Sequence, residues 1–271
     1  MTGRATAGAP RHTYAIGDVH GRLDLLDAAI EAIARHAAHA SFRMIMLGDY
    51  IDRGPDSRGV IDRLMTLEQA WDLVCLKGNH EVLMTQALLD PSEANLSVWL
   101  ANGGVQTLAS YGLEPDDDLL SGVPEAHLRW LCALPSTARD PHRIYVHAGL
   151  APGKPLERQK DATLLWIREA FLRAPAEDFE VHVVHGHTPL WKGKPDPAAP
   201  ERLDHRTNLD TAAFATGVLS IGVFRSDETG GPVEVLQVVG PPRPHGIIDY
   251  QQRMDAYESA GRGGISLVRA P

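Results

Sequence analysis

Cysteine, aromatic residues and long apolar runs are all scarce in this sequence. Two cysteines occur among 271 residues, and Phe, Trp and Tyr together make up 6%. Two cysteines are too few for a disulfide framework or a thiolate metal cluster. We therefore expect Cys75 and Cys132, each inside an apolar stretch, to be buried free thiols. The N-terminus lacks an apolar core of signal-peptide length, and no run approaches the roughly eighteen apolar residues of a membrane span, which favours the cytoplasm.

Positive charge is also in deficit. Lys and Arg total 26 against 35 Asp and Glu, giving a formal net charge of −9. Nucleic acid and anionic membranes need a positive surface, so we expect neither as a partner. A chain of this length buries a sizeable core without disulfides or a structural metal. Any metal is therefore expected to serve chemistry rather than folding.

Short apolar runs alternate with helical patterns along the first third of the sequence. Strands are predicted at 13–16, 44–47 and 73–76, and helices at 23–39, around 60–67 and from Glu81 onward. This βαβαβα order predicts an α/β fold with mainly parallel strands and right-handed crossovers.

The pattern changes in the middle of the chain. Apolar residues at 91–140 recur at helical spacing, interrupted by Gly103-Gly104, which predicts a helical insertion. The remaining predicted elements are a helix at 161–173, strands at 144–146 and 181–184, and antiparallel strands at 218–224 and 233–239 that close the sheet. The weakly patterned residues from 241 to 271 are predicted to form a C-terminal tail.

Polar residues beside glycine follow five of the predicted strands. The segments are GDVHG at 17–21, GDYIDRG at 48–54, GNHE at 78–81, HAG at 147–149 and HGHTP at 185–189. Ligands in α/β sheets gather at the carboxyl ends of strands, where these segments converge. Asp18 and His20 are two residues apart, so in an extended segment they point to the same side. Carboxylate, imidazole and amide donors without thiolate suit Mn²⁺, Fe or Zn in an open catalytic site.

Together the five segments resemble the phosphoprotein phosphatase family of calcineurin-like metallophosphoesterases, with most similarity to bacterial and phage-type serine/threonine protein phosphatases. WLANGG at 99–104, LLWIRE at 164–169 and LDTAAFATG at 209–217 add to the resemblance, which covers about residues 14–224. It implies an α/β fold in which a two-sheet β-sandwich is flanked by helices. The catalytic domain would span 12–240, with the helical insertion at about 91–140 and the tail at 241–271.

The resemblance also implies a dinuclear metal centre. Asp18, His20 and Asp49 would bind one divalent ion. Asp49 would bridge to a second ion, held by Asn79, His147 and His187. The donor types favour Mn²⁺, with Fe or Zn as alternatives. His185 competes with His187 for the last position, and the G-H-T-P pattern favours His187.

Four further residues take catalytic roles by the same resemblance. Arg53 and Arg168 would clamp the phosphate, because a guanidinium fork matches its oxygens. His80 would be the general acid for the departing alkoxide, with Asp52 fixing its tautomer. A hydroxide bridging the metals would attack phosphorus. Arg168 keeps an alternative interpretation as a surface helical arginine.

Other residues near the motifs have less defined roles. Asp210 is assigned a hydrogen bond to the site, although related enzymes more often read DTG at this point. Trp99, Trp130 and Trp166 occur at helical spacing among leucines and are expected in the core.

The favoured function is therefore a metal-dependent phosphomonoesterase, a serine/threonine protein phosphatase that acts on phosphorylated proteins or small phosphomonoesters; the oligomeric state is left open. One alternative is a symmetrical diadenosine tetraphosphatase on the same scaffold, and another is a binding module on an inactive scaffold. GDYIDRG followed by GNHE favours the protein phosphatases, since the nucleotide hydrolases resemble GDLVARG followed by GNHD and lack the carboxylate behind the acid. Every proposed ligand is present, which disfavours an inactive scaffold.

Overall fold

Two five-stranded sheets form the centre of the molecule. The computed structural model describes residues 11–189 and 198–242. The strands are β1 His12–Ile16, β2 Phe42–Met46, β3 Leu73–Cys75, β4 Thr137–Arg139, β5 Arg143–Val146, β6 His182–His185, β7 Glu201–Arg202, β8 Arg206–Asn208, β9 Val218–Arg225 and β10 Glu234–Val239. The sheet orders are β10-β9-β1-β2-β3 and β4-β5-β6-β8-β7.

Helices connect and flank the strands. They are α1 Leu23–Ala37, α2 Ser57–Glu68, α3 Asn79–Leu89, α4 Glu93–Trp99, α5 Val105–Tyr111, α6 Leu119–Gly122, α7 Glu125–Ala133, α8 Asp161–Trp166, α9 Glu169–Leu172 and α10 Ala213–Thr216. A π-helical turn, Leu100–Gly104, joins α4 to α5. Two 3₁₀ turns lie at Leu156–Arg158 and Ala176–Asp178. The α/β fold with two sheets flanked by helices, expected from the sequence, is confirmed.

The first sheet combines parallel and antiparallel pairs. β1, β2 and β3 are parallel, as their βαβ connections require. β9 pairs antiparallel with β1, and β10 with β9, so the chain returns to the sheet in which it began. The second sheet has parallel β5, β6 and β8 with antiparallel edges. Its strands β4, β7 and β8 were not predicted.

Successive side chains of the central strands point to opposite faces of the sheet and pack into two apolar layers. On one face of β1, Tyr14 and Ile16 are buried in a cluster that includes Leu26 and Ile30 of α1. On the other face, Ala15 lies in a cluster between the sheets, with Ile45, Leu47, Leu76, Tyr145, Val184, Leu209 and Phe224. This layer joins the two sheets and brings their carboxyl edges together.

Two local predictions were wrong. Cys132 is exposed, whereas Cys75 is buried. Leu131 of α7 points into the core, and the next residue is rotated about 100° away from it. Trp166 is 43% exposed rather than buried, because Leu164 and Leu165 take the inward face of the short helix α8. Trp99 is fully buried and Trp130 partly buried, as expected.

The predicted helix at 161–173 is two short helices. The chain leaves helical geometry at Ile167 and Arg168, between α8 and α9. No helix among the described residues is long and apolar enough to cross a bilayer. The predicted tail lies outside the described residues from 243 onward.

Candidate active site

The carboxyl ends of strands from both sheets meet at one buried site. Asp18 and His20 follow β1, and Asp49 follows β2. Residues 79 and 80 open α3, directly after the β3 turn. His147 follows β5 and His187 follows β6. Each of these side chains is at least nine-tenths buried.

One group of ligand atoms surrounds one oxygen of Asp49. Atoms of Asp49, His147 and His187 lie within 4.8 Å of one another. His147 Nε2 is 3.3 Å from Asp49 Oδ1, 3.2 Å from His187 Nδ1 and 2.8 Å from Asn79 Oδ1. His147 Nδ1 donates to the Leu47 carbonyl at 2.8 Å, which leaves the lone pair on Nε2. Ligand atoms of Asp49, Asn79 and His187 therefore lie around His147 Nε2.

A second group lies at the other oxygen of the same carboxylate. Atoms of His20, Asp49 and His80 also fall within 4.8 Å of one another. Asp49 Oδ2 is 3.5 Å from His20 Nε2 and 3.9 Å from His80 Nε2. His20 Nδ1 donates to the Ile51 carbonyl at 2.8 Å, so its Nε2 lone pair faces the site. Asp49 is thus the residue that the two groups share.

Asp18 lies beside these groups without belonging to either of them in the described part of the chain. Its carboxylate accepts the backbone N–H of His187 at 3.0 Å. A side chain at Gly186 would collide with Asp18 Oδ1, so the carboxylate packs directly on that glycine. Burial and the neighbouring Asp210 and Asp49 raise the pKa of Asp18 well above its usual range.

The electrostatics of this site fit divalent cations. Burial raises the pKa of Asp49 to about 7, although the charge of Arg53 opposes the shift. Burial lowers the pKa of His147 to about 4, and it lowers the pKa of His20 and His187 well below 6.5. Among the described residues, His187 Nε2 is a buried nitrogen with no hydrogen-bond partner. Clustered carboxylates and neutral imidazoles without thiolate are the donor set of a catalytic metal centre.

His80 and Asp52 form a buried pair next to the second group. His80 Nδ1 donates to Asp52 Oδ2 at 2.7 Å, and both side chains are almost fully enclosed. This hydrogen bond holds the proton on Nδ1 and turns Nε2 towards Asp49. Burial raises the pKa of Asp52, and hydrogen bonds from Thr107 and Trp99 oppose that shift.

The two arginines border the site differently. Arg53 donates through Nη1 to His20 Nε2 and through Nη2 to His80 Nε2, both at 2.8 Å. Its guanidinium lies 5.0 Å from the centre of the Phe214 ring. Arg168, in the break between α8 and α9, donates to Thr188 Oγ1 at 3.0 Å and to the His187 carbonyl at 3.3 Å.

The competing candidates have other environments. His185 is buried against Phe171 and contacts the Gly186 carbonyl, whereas His187 belongs to the first group of ligand atoms. Asp210 accepts the backbone N–H of Ala212 at 2.9 Å, and burial raises its pKa to about 6.

Three residues that support the site had no role in the sequence interpretation. Glu81 accepts backbone N–H groups of Asp49, Tyr50 and Gly78 at 2.8–2.9 Å, which fixes the loop after β2. Trp99 and Thr107 both donate to the Asp52 carboxylate. In the sequence, Glu81 is the last residue of GNHE and Trp99 is the first residue of WLANGG. Neither motif indicates which groups these side chains contact.

The known proteins that resemble this chain point to one family, but they are named for different substrates. The sequence profile of the family described as calcineurin-like phosphoesterase matches residues 12–215. Serine/threonine-protein phosphatase 2 of Escherichia coli is 36% identical over 94 residues, 35% of this chain and 39% of that protein. Serine/threonine-protein phosphatase 1 of Salmonella typhimurium is 29% identical over 188 residues, 66% of this chain and 80% of that protein. A symmetrical bis(5′-nucleosyl)-tetraphosphatase of Dechloromonas aromatica is 27% identical over 68% of this chain and 57% of its own length.

Solved structures show the same fold. The cold-active protein-tyrosine phosphatase of a Shewanella species superposes with a TM-score of 0.55 and 17% identity, covering 83% of this chain and 81% of that one. At this identity the likeness concerns the fold alone. Some sequence relatives are much longer than the matched region, since the match spans 39% of the Escherichia coli protein.

Proposed function

Because this chain belongs to the calcineurin-like phosphoesterases, we propose that it is a metal-dependent phosphomonoesterase acting on alkyl phosphate esters, such as phosphoserine and phosphothreonine in proteins. The observation that carries this proposal is the buried His80–Asp52 pair beside the shared carboxylate of Asp49. An alkoxide is a poor leaving group and needs a proton from such a pair, whereas a nucleotide leaves without much help.

The proposed ligands form two sets that share Asp49. Asp18, His20 and Asp49 would hold one cation, and Asp49, Asn79, His147 and His187 would hold the other; Asp49 Oδ2 lies 3.5 Å from His20 Nε2, and Asp49 Oδ1 lies 3.3 Å from His147 Nε2. When bound, two divalent cations, of which we favour Mn²⁺, supply Lewis acidity that polarises the phosphoryl group and lowers the pKa of water. His20 Nε2 has one lone pair, so Arg53 has to release this nitrogen before it can coordinate.

Arg53 and Arg168 are assigned to the phosphate. Arg53 reaches the site between His20 and His80, and a guanidinium freed from them presents a donor fork to phosphate oxygens. Arg168 approaches from the His187 side, at the break between α8 and α9. The two guanidinium groups therefore approach the substrate from different parts of the fold.

His80 is assigned as the general acid. In its protonated form, Nδ1 stays bonded to Asp52 while Nε2 delivers a proton to the ester oxygen as the P–O bond breaks. The carboxylate of Asp52 stabilises the imidazolium before this transfer and keeps the ring oriented during it. His80 Nε2 lies 3.9 Å from Asp49 Oδ2, so the experiment below measures metal content together with turnover to separate an acid from a metal ligand.

The test compares the wild type and His80→Asn, both loaded with Mn²⁺, on a phosphoserine peptide, p-nitrophenyl phosphate and diadenosine tetraphosphate. We expect His80→Asn to retain two metals and to lose about 10²–10⁴-fold in kcat on the phosphoserine peptide. The loss on p-nitrophenyl phosphate should be clearly smaller, because p-nitrophenolate leaves without a proton.

Other outcomes would redirect the assignment. Equal losses on both esters, with metal content reduced, would make His80 a ligand. Wild-type turnover confined to diadenosine tetraphosphate would favour the nucleotide hydrolase function, which the Dechloromonas aromatica relative carries in its name. Full turnover in the presence of a chelator would contradict the metal-dependent mechanism.

A further inference from the structure

The carboxylate of Asp52 has more partners than the histidine it serves. Oδ2 accepts His80 Nδ1 at 2.7 Å, and Oδ1 accepts Thr107 Oγ1 at 2.6 Å. The indole N–H of Trp99 lies 3.0 Å from Oδ1 and 3.2 Å from Oδ2. Trp99 ends α4 and Thr107 lies in α5, one on each side of the π-helical turn. All of these side chains are buried, so water does not compete for the carboxylate.

The same threonine also holds the backbone of Asp52. The Asp52 N–H lies 2.9 Å from Thr107 Oγ1 and 3.0 Å from Ser57 Oγ, and the two hydroxyls are 2.8 Å apart. Asp52 has a left-handed backbone with φ of +70°, a conformation that costs energy for a residue with a side chain. Contacts to both the main chain and the carboxylate therefore fix its position.

We propose that Trp99 and Thr107 are positioning residues for the general acid, and that through them the helical segment 93–111 determines how well poor leaving groups are expelled. This inference rests on the proposed phosphomonoesterase activity and on His80 as its acid. Thr107 and Trp99 hold the carboxylate so that Oδ2 faces His80 Nδ1, and their hydrogen bonds favour the ionised carboxylate in a site from which water is excluded.

The proton balance explains why the effect depends on the substrate. Water supplies the oxygen that forms the new bond to phosphorus, and the ester P–O bond breaks. The proton on His80 Nε2 moves to the departing oxygen, so a serine ester leaves as a neutral alcohol, and the proton lost by water restores the imidazolium. A p-nitrophenyl ester leaves as the anion and does not use the His80 proton. A less firmly held Asp52 should therefore slow hydrolysis of the serine ester and leave hydrolysis of the p-nitrophenyl ester nearly unchanged.

The experiment uses substitutions that each remove one donor to Asp52. Trp99→Phe removes the indole N–H together with part of the ring volume, and Thr107→Val removes the hydroxyl with nearly the same volume. We expect each to lower kcat on a phosphoserine peptide about tenfold, part of the roughly 10²–10⁴-fold supplied by a general acid. On p-nitrophenyl phosphate the change should stay within about threefold, and Thr107→Ser should restore the wild-type ratio between the two substrates.

Matched controls come from the same chain. Trp130→Phe removes an indole N–H that donates to Glu68, and Thr66→Val removes a hydroxyl that donates to the Asp62 carbonyl. Neither contacts Asp52, so neither should change the ratio of the two rates. In a His80→Asn background, Trp99→Phe should cause no additional loss on the phosphoserine peptide, because the two residues act through one proton transfer.

Three results would overturn the inference. Equal losses on both esters would assign Trp99 and Thr107 to structure alone, while the phosphoesterase activity would stand. A further loss from Trp99→Phe in the His80→Asn background would mean that the tryptophan acts independently of the acid. Failure of the metal-loaded wild type to hydrolyse either ester would overturn this inference together with the proposed function.

Discussion

Asp49 is the side chain on which the proposed centre depends most. Its two oxygens face different histidines, at 3.5 Å for His20 and 3.3 Å for His147. Asp49→Asn removes one anionic oxygen and puts an NH₂ group in the place of a ligand, so we expect it to lose metal as well as turnover. Arg53→Ala should keep both metals and lose mainly phosphate affinity and rate.

Elemental analysis of the purified variants decides between these residues. A preparation of Asp49→Asn that retains two metals per chain would mean that the shared ligand has been misassigned. Loss of metal from Arg53→Ala would instead indicate that its guanidinium is needed to shape the centre.

At the level of single residues, the sequence identified side chains whose chemistry is visible in the motif. Asp, His and Asn beside glycine are recognisable as ligand types, and the structure brings His20, Asp49 and His147 within a few ångströms. Trp99 and Thr107 could not be assigned in this way. A tryptophan among leucines predicts packing, and its hydrogen bond to a carboxylate 47 residues earlier depends on the tertiary fold.

Among the elements, the π-helical turn between α4 and α5 offers a direct test. Gly103 has φ of +105°, and its carbonyl accepts the N–H of Arg53 at 3.1 Å. A Cβ at this position would lie 2.7 Å from that nitrogen. Gly103→Ala should therefore displace the loop that carries Asp52 and Arg53, lowering kcat by about tenfold or more in addition to a stability loss of about 1–2 kcal/mol from the left-handed backbone.

Gly112 is the matched control, since its φ is +73° and a Cβ there meets nothing within 4 Å. Gly112→Ala should show the backbone cost in thermal unfolding while leaving kcat unchanged. If both variants lost stability alike and both kept full activity, the turn would have no influence on the site.

The elements that sequence reasoning missed are short and polar. β8 reads Arg206-Thr207-Asn208 and is wholly buried, because Arg206 pairs with Glu201 and Asn208 donates to the Thr188 carbonyl. Apolar periodicity cannot reveal such a strand. The parallel strands β1 to β3 were predictable because their apolar residues pack against apolar clusters on both faces of the sheet.

For the whole molecule, metal binding should be linked to protons. Without metal, Asp49 has its pKa raised to about 7, whereas His147 has its pKa lowered to about 4. Between about pH 6 and pH 8 the His147 imidazole is therefore already neutral, and the proton is lost from the interacting carboxyl groups of Asp49 and Glu81, since burial raises the pKa of Glu81 to about 7 as well. Cations compete with that proton, so the apparent Mn²⁺ affinity should rise as the pH rises through about 7.

Calorimetric titration in two buffers with different heats of protonation measures the proton release directly. We expect a release near neutral pH that declines by about pH 8, where the carboxyl group is ionised before the metal arrives. An affinity that is constant from pH 6 to pH 8, with no proton release, would contradict this linkage.

The path of the chain through the two sheets also has a consequence for biosynthesis. β1 opens the first sheet near residue 12, but its antiparallel neighbour β9 begins at residue 218, after the chain has built the second sheet. A ribosome-bound fragment that contains Asp18, His20 and Asp49 still lacks this neighbour of β1 and, until residue 187 is made, the last proposed ligand. The proposed centre therefore becomes complete only after residue 187 and β9 have been synthesised, so we expect shorter ribosome-bound fragments to lack it.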